Sequence, residues 1–192
     1  MSQKIKLSDY VVSFLEQKGI KDTCSLKNLI KVIDPFATMD ITDLASKVTC
    51  QYNDSPSGEG VKNIIDNNSG SKFLTFNSSA WVQIEMEDAF QLDKYTITSA
   101  NDAPMRDPKD WVLKGSNDGV LFTTIDIRVN ENFSDRRQKL EFNLDNSPAF
   151  KIYRFNFTNK GVDAYGRNVL QFAEIELIGK KKAIEEILAD KR

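Results

Sequence analysis

The chemistry open to this chain is limited first by a residue it lacks: none of its 192 residues is histidine. Ser-His-Asp and Cys-His pairings are therefore excluded, and so is the usual proton shuttle near neutral pH. Two cysteines, Cys24 and Cys50, supply neither a thiolate cluster for zinc nor a disulfide framework. Oxygen remains as the metal-binding atom, and oxygen donors crowd one turn, Asn63-Ile64-Ile65-Asp66-Asn67-Asn68-Ser69-Gly70-Ser71. Carboxylate, amide and hydroxyl oxygens so spaced suit a hard cation. A second polar concentration runs from Asn101 to Asp110. There Asn101, Asp102, Arg106, Asp107 and Asp110 share a connection stiffened by Pro104 and Pro108. Such a loop is either a binding surface or a self-satisfied knot in which Arg106 pairs with Asp107.

The elements that must hold these residues are strands. From Ile41 onward, short apolar alternations are separated by turn signals at close intervals, the pattern of an all-β sandwich. Val82, Ile84 and Met86 alternate, as do Tyr95 and Ile97, Ile125 and Ile127, and Tyr153, Phe155 and Phe157. Each set is expected to put one face inward. Trp111 opens a strand in phase with Leu113 and reads as core, and Asn117-Asp118-Gly119 closes a hairpin. Leu170 and Phe172 share one strand phase while Ile175 and Leu177 share the other. The slip at Ala173-Glu174 reads as a β-bulge, which frees a carbonyl and re-aims a side chain. Before the strands, Lys6 to Gly19 and Leu26 to Ile33 carry helical stripes; after them, Lys180 to Arg192 reads as a charged helix. The division is a helical extension over 1–36, a sandwich domain over 37–179 and a helical tail over 180–192.

Hydrophobic residues make up 40% of the chain and charged residues 28%, as in soluble globular proteins. A net charge of −2 argues against a nucleic-acid footprint, and no apolar run is long enough to span a bilayer. The opening Met-Ser-Gln-Lys-Ile-Lys lacks the apolar centre of a signal peptide, so a cytoplasmic location is expected for the chain as written.

Four segments carry a resemblance: Gly58 to Asp66, Ala80-Trp81-Val82-Gln83-Ile84, Ser99 to Gly119, and Leu170 to Leu177. In this order and spacing, residues from about Asp40 to Gly179 resemble the discoidin or coagulation-factor type C domains, and most closely the family 32 carbohydrate-binding modules. The resemblance implies a galactose-binding-domain-like jelly-roll β-sandwich with a structural Ca²⁺. The matching ligands would be Asp66, Asn68, Ser71 and Glu174 by side chain and Asn63 and Ala173 by carbonyl. It also implies glycan recognition by loops at one end of the sandwich. Here those loops offer Arg106, Arg136 and Arg167 as donors, Asn77, Asn101, Asp102, Asp107 and Asp163 as polar partners, and Tyr165 or Phe76 to stack on a sugar ring. The histidine that many galactose binders of this family use is absent. Lys4 to Leu15 is similar to the opening of thiamine-diphosphate enzymes, but the following glycine-rich turn is missing and no such cofactor follows.

Three functions are thereby open. The leading one is a non-catalytic carbohydrate-binding module. The second is an intracellular adaptor that docks another protein on its N- and C-terminal helices. The third, a hydrolase built on a carboxylate pair, lacks any signature that pairs its carboxylates.

Overall fold

The computed structural model describes residues 38–181. The helical stripes expected at the N terminus and in the C-terminal tail lie outside the described residues, as does Cys24. Ten strands follow in order: β1 (Met39–Asp40), β2 (Ala45–Cys50), β3 (Phe73–Thr75), β4 (Ser79–Thr98), β5 (Pro108–Ser116), β6 (Thr123–Arg128), β7 (Lys139–Asn143), β8 (Phe150–Asn159), β9 (Leu170–Phe172) and β10 (Glu174–Lys181). All pairings are antiparallel. The all-β sandwich expected from the alternations is the observed architecture.

The 20-residue β4 runs through both layers. Its first half lies between β2 and β8, and β8 continues into β5 and β6. Its second half lies between β10 and β7, with β1 beyond β10. Pairing with β8 breaks between Glu85 and Phe90, where Glu87 and Asp88 are exposed, and this is the corner between the layers. Ala80, Val82, Ile84, Met86, Phe90 and Leu92 point inward; beyond Asp93, Tyr95 and Ile97 do. Asp93 is the extra residue of a bulge against β10, and an extra residue reverses the strand's phase. Gly179 sits at the same irregularity, where a Cβ would lie 2.3 Å from the Gln91 carbonyl oxygen, so only glycine fits.

Aromatic rings fill the interior. Tyr95 stacks on Phe142 at 5.0 Å, and Trp111 meets Phe142 edge-on at 5.1 Å. The Trp111 indole N–H donates to the Tyr95 hydroxyl (2.8 Å), which donates to Asp126 Oδ2 (2.7 Å). Each aromatic pair contributes about 0.5–1.5 kcal/mol beyond its area burial. Trp111 is core, as its phase predicts.

Two expectations about strands are corrected. Ile125 is the extra residue of a bulge between β5 and β6, so Ile127 turns outward and is 61% exposed instead of facing the core. The slip at Ala173-Glu174 is a change of sheet rather than a bulge within one strand. Leu170 to Phe172 pair with β3 in a separate two-stranded sheet, and Glu174 onward pairs with β4. Ala173 joins the two, its N–H donating to the Thr98 carbonyl (2.8 Å).

Candidate functional site

The turn at 63–71 folds because its polar side chains replace backbone partners. A 3₁₀ turn (Val61–Ile65) is anchored by the fully buried Ile64. The Asn63 amide donates to the carbonyls of Gly58 and Lys72, both at 2.7 Å, and so closes the base of the loop. Asn67 takes the left-handed conformation (φ 58°), which asparagine tolerates better than most residues. Asp66 then faces back into the turn, accepting from the Asn68 N–H (2.9 Å) and the Ser71 hydroxyl (2.7 Å).

The change of sheet at Ala173 delivers Glu174 to the same N–H: Asn68 N lies 2.8 Å from Glu174 Oε1. Glu174 is buried, and its pKa is pushed up to about 8, by burial first and then by the neighbouring Asp66 carboxyl. Two crowded carboxyls, one of them desolvated, call for either a shared proton or a cation. Asp66 and Glu174 thus meet at the Asn68 backbone N–H, with the Ser71 hydroxyl on Asp66, while the Asn68 side chain, expected as a ligand, turns back to accept the Gly70 N–H (3.0 Å). Among the described residues, no group of three or more His, Cys, Asp or Glu side chains is placed to hold an ion. The oxygens brought together are the Asp66 and Glu174 carboxyls and the Ser71 hydroxyl, donors of the type a hard divalent cation takes.

The loops beyond β3, β4 and β8 gather at one end. Their backbones are tied together: Gly161 N–H donates to the Met105 carbonyl, Lys160 N–H to that of Asp107 and Asn159 N–H to that of Ser78. Arg106 and Asp107 do not pair with each other. Arg106, 6% exposed, donates to Asp163 Oδ2 from Nε (2.8 Å) and Nη2 (2.5 Å). Asp107 is fully buried and receives Arg136 on both oxygens, with Lys160 Nζ at 3.7 Å. Burial raises the Asp107 pKa in spite of these cations. Arg106 ends the Pro104–Arg106 turn while Asp107 is already extended (φ −60°, ψ 150°), and the two consecutive side chains find separate partners.

Of the ten ligand candidates, Arg106, Asp107, Arg136 and Asp163 therefore form an internal ionic frame. Asp102 is bound by Lys72 (2.8 Å) and Gln171 (2.8 Å), and Asn77 donates to Asp54 (2.8 Å). Phe76 (56% exposed), Asn101, Tyr165 (77% exposed) and Arg167 face outward. The Arg167 guanidinium lies 5.3 Å from the centre of the Tyr165 ring. Asp163 sets this pair, since its Oδ1 accepts the N–H groups of Tyr165 (2.8 Å) and Arg167 (2.9 Å). Asp54, Lys72 and Gln171 were not among the candidates. The one sequence signal for Gln171 is its polarity between Leu170 and Phe172 in a buried strand.

The F5/8 type C domain family matches residues 47–172. The chain belongs to this family. Among solved structures, this F5/8 type C domain is similar to a Clostridium perfringens module, CpGH89CBM32-5, in complex with GalNAc-β-1,3-galactose. The TM-score is 0.58 at 16% identity, covering 73% of this chain and 99% of that one. It is also similar to a pectin-binding carbohydrate-binding module, with TM-score 0.57 and 16% identity over 69% of this chain and 89% of that one. These likenesses show the fold. An Arabidopsis thaliana peptide-N(4)-(N-acetyl-β-glucosaminyl)asparagine amidase is 40% identical over 91 residues. That stretch is 45% of this chain and 12% of the amidase.

Proposed function

We propose that this F5/8 type C domain is a non-catalytic glycan-binding module whose ligand surface is centred on Tyr165 and Arg167. The observation that carries the reading is the exposed Tyr165 ring beside the Arg167 guanidinium, on a loop locked from below by buried Asp163. A flat aromatic face takes the apolar side of a pyranose, and a guanidinium beside it donates to ring hydroxyls. Phe76 and Asn101 extend the surface. The frame beneath needs no ligand to form, so little ordering cost falls on binding.

The cation reading belongs to the same proposal. Asp66, Asn68, Ser71 and Glu174, with the carbonyls of Asn63 and Ala173, would hold a structural Ca²⁺ that offsets the Asp66–Glu174 repulsion. The ion would pin the 63–71 turn to β10 and take no part in chemistry. The Lys72–Asp102 pair carries that rigidity toward the ligand loops.

The likeness to the amidase suggests where a ligand search should begin, with N-linked glycans bearing N-acetylglucosamine. The absence of histidine supports a binding role over a catalytic one. A glycan array probed with and without calcium tests the reading. It predicts a restricted set of bound glycans, weakened by chelation and lost in Tyr165→Ala.

A further inference from the structure

The outer face of β7, β4 and β10 carries two cross-strand rows. Glu141, Thr96 and Glu176 form one row and Lys139, Thr98 and Glu174 the next. The first row finds its partners: the Thr96 hydroxyl donates to Glu176 Oε2 (3.0 Å), and Lys94 Nζ donates to Glu141 (2.7 Å). Lys139 leans across to Glu176 Oε1 (2.6 Å). Thr98 is left out. It is 2% exposed, and among the described residues its hydroxyl is the one buried side-chain polar atom without a hydrogen-bond partner. Such a group keeps its desolvation cost until something bonds to it.

Thr98 lines a cleft of about 230 Å³, shared with Asn67, Arg137, Lys139, Glu174 and Glu176. Arg137 reaches it from a left-handed backbone (φ 56°), a conformation that costs an arginine energy. Its N–H is tied to the Ala100 carbonyl (3.1 Å), and the side chain is exposed. A strained residue and an unsatisfied hydroxyl thus border one cavity.

The cleft mixes charges in a way that selects its ligand. An anion would meet Glu176, and a metal ion would meet Arg137 and Lys139. A hydroxyl group donates to a carboxylate while accepting from a guanidinium or ammonium, and so satisfies both sets at once. The volume equals that of about eight waters at ~30 Å³ each, room for one sugar ring. We infer that this cleft is a second saccharide site, taking one neutral pyranose through vicinal hydroxyls held by Arg137, Thr98 and Glu176. The inference rests on the glycan-binding reading but uses none of the Tyr165 loop.

The test is an amide NMR titration of the full chain in calcium with methyl β-D-galactopyranoside and methyl α-D-mannopyranoside. Tetrahydropyran-2-methanol serves as the ring without a diol. At least one glycoside is expected to shift the amides of Thr98, Arg137 and Glu176 saturably, and the control is expected not to. Thr98→Val removes a buried hydroxyl that has no partner to lose, while Arg137→Asn suits the left-handed backbone, so both variants retain the fold. Each should weaken the cleft response about five-fold, the loss of one hydrogen bond, with the Tyr165 and Arg167 responses unchanged. Three results overturn the inference: no saturable cleft response to either glycoside, an equal response to the control, or unchanged affinity in both variants. A loop response without a cleft response rejects this site alone. A cleft response without a loop response supports it and rejects the Tyr165 surface.

Discussion

Arg106 and Asp163, 57 positions apart in the chain, form a buried two-pronged ion pair on a single carboxylate oxygen. The other oxygen of Asp163 holds the backbone N–H groups of Tyr165 and Arg167. One aspartate therefore couples the loop after β4 to the loop that presents the exposed aromatic ring. Removing Arg106 leaves that carboxylate without its charge partner, a loss that buried pairs do not absorb. Arg106→Ala and Asp163→Ala should each lower the melting temperature by roughly 5 °C or more, and the double variant by less than the sum. Strict additivity in thermal melts would show that the pair holds nothing in place.

Asp107 gives a parallel case with a fully buried carboxylate. Asp107→Ala strands Arg136 and Lys160 beside an apolar gap. It should cost about 3 kcal/mol in urea denaturation, the lower end for breaking a buried pair, because Arg136 is partly exposed. A loss below about 1 kcal/mol would reclassify the pair as a surface contact.

The cation reading makes a pH-dependent prediction with a defined sign. Glu174 has its folded pKa raised from 4.5 to about 8. In metal-free protein its contribution to stability is fully present below about pH 4.5 and is lost as pH rises through about 8. Calcium replaces the proton, so the calcium-induced rise in melting temperature should grow between pH 5.5 and 8.5. At a hundred times the dissociation constant it is worth about 2.7 kcal/mol. Glu174→Gln should remove both the pH trend and the calcium increment in melts run with calcium or with chelator. A wild-type melting temperature indifferent to millimolar calcium at pH 8 would sink the reading.

The core makes a prediction that separates packing from recognition. Trp111 touches Phe142 and Phe157 and donates to the Tyr95 hydroxyl. Trp111→Ala should cost roughly 3–5 kcal/mol in urea denaturation. A loss of under 1 kcal/mol would contradict its place in the core.

The strand pattern and the core were legible in the sequence because alternation records burial directly. Val82, Tyr95, Phe155 and Trp111 all face inward as their phase predicts. Ile127 was misread because one inserted residue, Ile125, reverses the phase, and no residue type announces it. That Asp66 and Glu174 lie close was expected through the resemblance and the phase slip at Ala173, but the Asn68 N–H between them, and the Asn68 side chain turned to Gly70, were not. The ionic frame was not legible. Arg106 stands next to Asp107 in the chain, but its partner lies 57 positions on, in the loop after β8. Proximity in sequence is a poor guide to charge pairing wherever the backbone can turn a side chain over.

The central claim is that Tyr165 is a sugar platform, and the most direct test is glycan affinity with and without its ring. Once an array identifies a bound glycan, titration calorimetry on wild-type protein and Tyr165→Ala decides the matter. With 77% of Tyr165 exposed, the variant should melt within about 1 °C of wild type. Its affinity should fall about ten-fold or more, roughly 1.4 kcal/mol. Binding to no glycan, or binding unchanged in Tyr165→Ala, would contradict the account.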